Sequence, residues 1–253
     1  MRNLSVRQQQ IIDLISRQEY CTIEALSELF SVTTQTIRRD INKLCNLRLA
    51  QRHHGGVSLP PTLVNRSYVS RSHTNQDDKR AIAQSVVEQI PDGCTLFLGI
   101  GTTIALIAEL LVNHTQLRVV TNNFQAAHIL SQYEQIEIWI AGGKLRTNDG
   151  DITGEGVSTF FSKFSADIGI VGCAAVSQVS ESNPLDLLSN EHQHKPIIEC
   201  AMEHELQEAE VSQNILIGSR QKWLVANPTK WHRKANAKVA NLCQFDQVFS
   251  GQN

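Results

Sequence analysis

No run of about 18 apolar residues occurs in this chain of 253 residues, and no charged-then-apolar leader opens it. The sequence therefore points to neither a membrane-spanning helix nor secretion, and the cytoplasm is the default compartment. Six cysteines stand at 21, 45, 94, 173, 200 and 243, with no CxxC pair among them. That spacing gives no zinc knuckle and no disulfide frame, and it suits separate reduced thiols. Excess charge is also missing, for the formal net charge is −2. The near-balance hides an asymmetry: residues 1–60 hold 8 Lys+Arg against 5 Asp+Glu, and the remainder holds 15 against 20. The N-terminal piece is the one suited to a polyanion.

What is present is concentrated in residues 33–56, TTQTIRRDINKLCNLRLAQRHHGG. A hydroxyl-rich turn opens a short amphipathic helix. Its period places Ile37, Ile41 and Leu44 on one apolar face and leaves Thr34, Gln35, Arg38 and Arg39 on the other. Such side chains hydrogen-bond base edges and phosphates. Two helices are expected upstream, over about residues 6–18 and from an N-cap at Thr22 to Phe30, with Ser31-Val32-Thr33 as the turn between the second and third. Downstream, Leu47–Leu59 reads as a hairpin around His53-His54-Gly55-Gly56, because paired glycines supply the positive φ of a tight turn. Arg48, Arg52 and the two histidines would then flank the groove. Four arginines alone would be an ordinary solvated surface; helix, turn, helix and GG hairpin in this order make a winged helix-turn-helix the better reading. A charge of +3 is modest, so tight DNA binding calls for a homodimer or homotetramer that multiplies phosphate contacts.

Residues 60–75 begin Pro60-Pro61 and lack strand or helix periodicity, as an interdomain linker does. From residue 76 to 253 strands alternate with helices. The strand Cys94–Leu98 runs into Gly99-Ile100-Gly101-Thr102-Thr103 and a helix; Leu117–Thr121 runs into Asn122-Asn123; Ile136–Ala141 runs into Gly142-Gly143. The rhythm predicts an α/β domain with an open parallel sheet whose ligands bind at the carboxyl ends of strands. Strand, Gly-x-Gly-Thr-Thr and helix suit a phosphate, since glycines admit close backbone approach and first-turn amides carry partial positive charge. The loop serves equally well as a plain helix cap. Asn122, Asn123 and Lys230 strengthen the phosphate reading if the fold gathers them.

The stretches TTQTIRRDINKL, RHHGG, TLFLGIGTT, LRVVTNN and AGGKLRTNDG together resemble the DeoR family of bacterial transcriptional regulators, from about Ser5 to Val176 and again near Glu208. The resemblance implies a repressor of a carbon-metabolism operon. Its N-terminal domain (1–59) would bind operator DNA. Its C-terminal domain, related to sugar-phosphate isomerases, would sense a phosphorylated effector such as glycerol 3-phosphate or a sugar phosphate, lowering operator affinity. DNA contacts are implied at Thr34, Gln35, Thr36, Arg38, Arg39, Arg52 and His53. Effector contacts are implied at Gly101, Thr102, Thr103, Asn122, Asn123, Gly142, Gly143 and Lys230. No cofactor or metal is implied. The family usually has an aspartate where this chain has Gly99, another where it has Asn227, and a Lys-Arg pair where it has Ser212-Gln213. Residues 177–207 read as an insertion or a remodelled segment. His192, His194, Cys200 and His204 fall there, but their spacing matches no zinc pattern.

Two other classes compete. An isomerase would need acids in a Gly-Ala-Asp-Glu stretch after the strand Asp167–Gly172, and this chain reads Gly172-Cys173-Ala174-Ala175-Val176 there, with no base to move a proton. Asp167 is expected to begin that strand or to contact another loop. A DNA-binding protein whose C-terminal domain only oligomerises is the other alternative.

Overall fold

Apolar residues recurring at helical spacing fold the first part of the chain into α1 (Val6–Gln18), α2 (Ile23–Leu29) and α3 (Thr34–Asn46). In this computed structural model, residues 4–18, 20–47, 49–53, 55–58, 68–72, 74–147, 149–180 and 197–251 are described. The chain divides into a unit Met1–Gln76 and a unit Asp77–Asn253. In the first, Ile11 and Ile15 of α1, Leu26 of α2, and Ile37, Ile41 and Leu44 of α3 are each at most 1% exposed and meet in one core. Helices of 7 to 13 residues are marginal alone; burying each such side chain contributes about 1.5–3 kcal/mol and holds all three in place. Leu29 of α2 is 62% exposed, and the apolar stripe of so short a helix is made by Ile23 and Leu26.

Three short strands, β1 (Tyr20–Thr22), β2 (Gln51–His53) and β3 (Gly56–Ser58), form an antiparallel sheet in the order β1-β3-β2. The β2–β3 hairpin is the expected wing, with Gly55 at φ +80° in its turn. β1 was not expected. Gly56 is required for its pairing, since a Cβ there would collide with the Tyr20 ring and lie 2.5 Å from the Cys21 carbonyl oxygen. Arg48 and His54 lie outside the described residues, as does most of the 60–75 stretch. Within that stretch a short helix, α4 (Tyr68–Ser72), precedes α5 (Gln76–Val87).

The second unit continues with β4 (Thr95–Leu98), α6 (Thr102–Leu110), β5 (Leu117–Thr121), α7 (Phe124–Leu130), β6 (Ile136–Ile140), β7 (Lys144–Arg146), β8 (Asp151–Thr153), α8 (Glu155–Phe161) and β9 (Ala166–Val171). β10 (Ala175–Ser180), β11 (Ile197–Glu203), α9 (Leu206–Ile217), β12 (Ser219–Val225), β13 (Ala237–Asn241) and β14 (Gln247–Phe249) complete it. Six strands make one sheet, ordered β14-β12-β9-β4-β5-β6, and every pair in it is parallel. Alternation along β4 sends Leu96 and Leu98 to one face with α5, α6 and α7, and Phe97 to the other with α8 and α9. Both faces are covered, as a parallel sheet requires. Strands β4, β5 and β6 advance to one edge and β9, β12 and β14 to the other, so the order reverses between β4 and β9. In open α/β sheets ligands bind in the crevice outside such a reversal.

Of residues 177–207, expected to be an insertion or a remodelled segment, the described ones at both ends contribute to strands. β10 and β11 pair antiparallel from Ala175↔Met202 to Ser180↔Ile197, and β11 pairs with β13. His192 and His194 lie outside the described residues. Among the described residues no cluster of His, Cys, Asp or Glu is arranged to hold a metal, and no helix is long and apolar enough to cross a membrane.

Candidate nucleic-acid interface and anion crevice

α3 begins where Thr33, in extended conformation, accepts a hydrogen bond at Oγ1 from the Thr36 amide at 3.3 Å. The Thr33 and Thr36 hydroxyls also pair at 3.0 Å. Thr36 is thus spent on the cap and is half-buried, as is Thr34. Gln35, Arg38, Arg39, Asn42 and Lys43 are exposed, opposite the buried Ile37, Ile41 and Leu44. Arg38 and Asn42 share a face four residues apart. The wing reaches that face: Arg52 Nη1 on β2 donates to Asn42 Oδ1 at 3.5 Å, a long bond that nonetheless places this arginine beside the helix. His53 lies in β2 with Arg52. The hairpin is tied down where the Ile23 amide donates to the Gly55 carbonyl at 2.9 Å.

The arginine-bearing helix is also fixed from behind. Asp40, 7% exposed, accepts from Arg7 Nε at 2.6 Å and from Gln8 Nε2 at 2.8 Å, both on α1. Gln8 and Ser5 cap α1 reciprocally: the Ser5 amide donates to Gln8 Oε1 at 3.1 Å and the Gln8 amide to Ser5 Oγ at 3.2 Å. The residue after the two arginines therefore locks α3 to α1.

In the second unit, the loop after β4 stands at the sheet's reversal point. Gly99 lies against the Ile170 backbone, its amide donating to the Ile170 carbonyl at 2.9 Å, and an added Cβ would stand 3.3 Å from that oxygen. Gly101 occupies the N-cap of α6 at φ +125°, ψ 160°, so no side chain caps this helix. The amides opening α6 are those a helix offers to an anion. Thr102 is buried and Thr103 half-buried beside them. Asn123 braces the loop: its Nδ2 donates to the carbonyls of Gly99 (3.3 Å) and Gly101 (3.2 Å), and its Oδ1 caps α7 by accepting from the Ala126 amide at 3.1 Å. Both amide hydrogens are spent on the backbone.

Asn122 differs. It is 2% exposed, its Nδ2 donates to the Ile152 carbonyl at 3.1 Å, and its Oδ1 has no hydrogen-bond partner. It lines a narrow crevice with Ile100, Asp151, Thr153, Gln207, Glu208, Val211, Ser212 and Ile215. The space inside is about 10 Å³, enough for about one water. Of the expected effector residues only Asn122 lines it. Gly142 and Gly143 are exposed at the entry to the β7–β8 hairpin, where a Cβ on Gly143 would collide with the Thr153 carbonyl. Lys230 lies in the 3-10 turn Pro228–His232 after β12. Burial pushes the Cys173 thiol up to about 12 against the opposing pull of the nearby Lys230 ammonium.

The crevice contains a charge cluster that sequence reading did not single out. Arg146 Nη2 contacts Asp151 Oδ2 and Glu208 Oε1, each at 2.6 Å; its Nε donates to Asp151 Oδ1 at 3.0 Å, and Nη1 stands 3.5 Å from Asp149. Burial works against the guanidinium's charge, but hydrogen bonds to Asp151 and Glu208 outweigh it and hold the pKa above its ordinary value. For Asp151 burial outweighs pairing, and its carboxyl is held above the usual range, because one cation is shared with Glu208 and Asp149. The signal was present in Arg146-x-x-Asp149-x-Asp151. Glu208, 62 residues further on, could be joined to it only by the fold. Asp167 begins β9, accepting from the Thr95 amide at 2.9 Å at the opposite end of the strands from the crevice.

Comparison with known proteins agrees with both units. Residues 7–62 match the model of the DeoR-like helix-turn-helix domain and residues 74–192 that of the DeoR C terminal sensor domain. The chain is 38% identical to the glycerol-3-phosphate regulon repressor of Escherichia coli K12 over 240 residues, covering 95% of this chain and 88% of that protein. It is 34% identical to the HTH-type transcriptional repressor CsqR of the same organism, covering 97% and 87%. Among solved structures, ribose 5-phosphate isomerase A of Methanocaldococcus jannaschii is 16% identical, covering 62% of this chain and 55% of that one, with a TM-score of 0.41.

Proposed function

The chain belongs to the DeoR family of transcriptional regulators, and from that premise we propose that it is a cytoplasmic operator-binding repressor of a carbon-metabolism operon, released by a phosphorylated metabolite. Glycerol 3-phosphate is the first candidate effector, since 38% identity extends over nearly the whole of a repressor named for that regulon; sugar phosphates are the next. The observation that carries DNA binding is the exposed face of α3, where Gln35, Arg38 and Arg39 stand opposite a fully buried stripe and beside the wing's Arg52. Arg38 and Arg39 would read bases or grip phosphates, and Arg52 and His53 would follow the flanking backbone.

For sensing, the support is the uncapped N-terminus of α6 at the sheet's reversal point, with Thr102 and Thr103 beside it. Gly142, Gly143 and Lys230, from other loops at the carboxyl ends of strands, would complete the contacts. Derepression follows if the effector binds the low-affinity form preferentially. The protein is read as non-catalytic: Gly172–Val176 has no carboxylate, and Asp151 and Glu208 in the crevice are both committed to Arg146. A second reading, in which the C-terminal unit only oligomerises, is favoured by the small volume of the crevice.

Selection of bound genomic fragments by the full-length protein, followed by release with a panel of phosphate esters, tests all of this. Release by an ester supports sensing. Retention across the panel supports the oligomerisation reading, and recovery of no preferred sequence removes operator recognition. Thr102→Leu with Thr103→Leu should abolish the response to esters and leave operator binding intact.

A further inference from the structure

The six-stranded sheet has two edges, β14 and β6, and they are finished differently. An open edge strand is a template for pairing, and proteins ordinarily blunt it by shortness, lysine, proline or a bulge. β14 is short, at three residues, Gln247–Phe249. β6 reads Ile136-Glu137-Ile138-Trp139-Ile140 and carries no lysine or proline, and its register with β5 runs unbroken through all five residues. Trp139 and Ile140 stand 44% and 41% exposed on it. The Trp139 ring lies 5.3 Å from Phe164, which lies 5.3 Å from Phe160, so the apolar surface is braced and continues beyond the strand.

The groups along this edge are ordered so that they fit a copy of themselves. The Ala141 amide donates to the Thr121 carbonyl at 2.9 Å, so alternation turns the backbone groups of Glu137 and Trp139 toward β5 and those of Ile138 and Ile140 outward. Among the described residues no strand pairs on that side. The Ile136 carbonyl faces outward too, while its amide turns back to the Tyr133 carbonyl at 3.2 Å. Glu137 carries the one charge on the strand, and it is already balanced: it accepts from Arg118 Nε and from Trp139 Nε1, each at 2.8 Å.

We propose that β6 is the interface between two copies of this chain, paired antiparallel about a dyad at Ile138, so that their sheets join as one of twelve strands, six from each. In that register Ile138 meets Ile138 and Ile140 meets Ile136 of the second copy, which pairs the outward backbone groups. Glu137 then stands opposite Trp139 of the second copy, where side chains approach closest, and the indole N–H faces a carboxylate. A dyad on Glu137 would set two carboxylates face to face, and one on Trp139 would carry Ile136 past the end of the other strand. The proposal is independent of the effector reading. It supplies the twofold symmetry that a palindromic operator asks of its protein.

Sedimentation equilibrium of the full-length protein at micromolar concentration reads this interface directly. The parent should sediment as a dimer or a larger even assembly. Trp139→Glu sets a carboxylate opposite Glu137 twice in each pair and should raise the dissociation constant on the order of a hundredfold or more. Ile140→Pro deletes an outward amide, spares the ladder with β5 and should halve the mass as well. Val248→Lys, on the opposite edge, should leave the mass unchanged. Labelled Trp139→Glu chains mixed with an excess of Glu137→Lys chains should regain the paired mass, because the new carboxylate then faces a lysine. A monomeric parent would overturn the proposal and give the edge to another segment or another protein. Full assembly of both Trp139→Glu and Ile140→Pro, in protein that melts as the parent does, would overturn it too, as would halving by Val248→Lys alone. Failure of the mixed chains to pair would overturn the register about Ile138.

Discussion

Replacing Arg146 with methionine removes the cation that, among the described residues, bridges Asp151 and Glu208, and keeps most of the side chain's volume. Both carboxylates are nearly inaccessible, at 1% and 2% side-chain exposure, and both meet the same Nη2 at 2.6 Å. Removing one partner of a buried ion pair costs about 3–5 kcal/mol, because a charge is left without compensation. The guanidinium is 22% exposed, so water will screen part of the loss and the lower end applies. For a unit of 177 residues, Asp77–Asn253, each kcal/mol moves Tm by roughly 2–4 °C, which gives a drop of about 6–12 °C. The drop should depend on pH in a definite sense. Without Arg146 the Asp151 carboxyl escapes part of the penalty by taking up a proton, so its folded-state pKa, already held up by burial, rises further above the unfolded one. The folded variant then binds more protons than the unfolded chain, and stability falls as pH rises through that window. Calorimetric melts at pH 5 and pH 8 should show the smaller difference from the parent protein at pH 5. The triple replacement Arg146→Met, Asp151→Asn, Glu208→Gln should recover most of the loss. A drop below about 2 °C, or one of equal size at both pH values, would refute the buried-cluster argument.

Arg38→Ala and Arg39→Ala should each weaken operator binding by about 1–3 kcal/mol with relaxed preference at one base if the arginine reads guanine, or uniformly with a shallower salt slope if it holds a phosphate; fluorescence anisotropy against variant duplexes over a salt series separates the two. Asp40→Ala leaves the buried Gln8 amide without its acceptor, worth about 1–3 kcal/mol, and frees the one-third-exposed Arg7, worth about 0–1 kcal/mol after screening. Denaturant melts should therefore rank Asp40→Ala well below Arg7→Ala in stability, and equal losses would deny the lock. Gly56→Ala should displace β1 from the wing, lowering the melting temperature of the N-terminal unit and operator affinity together, with no change in phosphate-ester binding measured by calorimetry.

Much of the frame was legible in the sequence, because it follows from local patterns. Helical spacing found α1, α2 and α3, hydroxyl caps found Thr22 and the Thr33-Thr34 turn, of which Thr33 is the cap, and the strand–loop–helix rhythm found the parallel sheet with its glycine loop at a carboxyl end. Three-residue strands such as β1 and the β7–β8 pair are too short for alternation to register, and only their partners define them. Ser177–Ser180 and Ile197–Glu203 fall in the stretch read as an insertion or a remodelled segment, and their antiparallel pairing, between residues far apart in sequence, leaves no local mark. Asn122 and Asn123 look identical in sequence, yet one spends its amide on the backbone and the other keeps an oxygen open to the crevice. That difference, like the union of Arg146 with Glu208, comes from tertiary packing.

We read the exposed face of α3 and the loop at Gly101–Thr103 as the output and input of one regulator. Measuring the Kd of the full-length protein for its selected operator with and without millimolar glycerol 3-phosphate and, in parallel, sugar phosphates decides whether they are coupled. A coupled regulator should show Kd rising roughly 5- to 150-fold with at least one ester, and that rise should vanish in the Thr102→Leu, Thr103→Leu variant. A Kd unchanged by every ester would contradict the claim and leave a DNA-binding protein whose C-terminal unit does not sense.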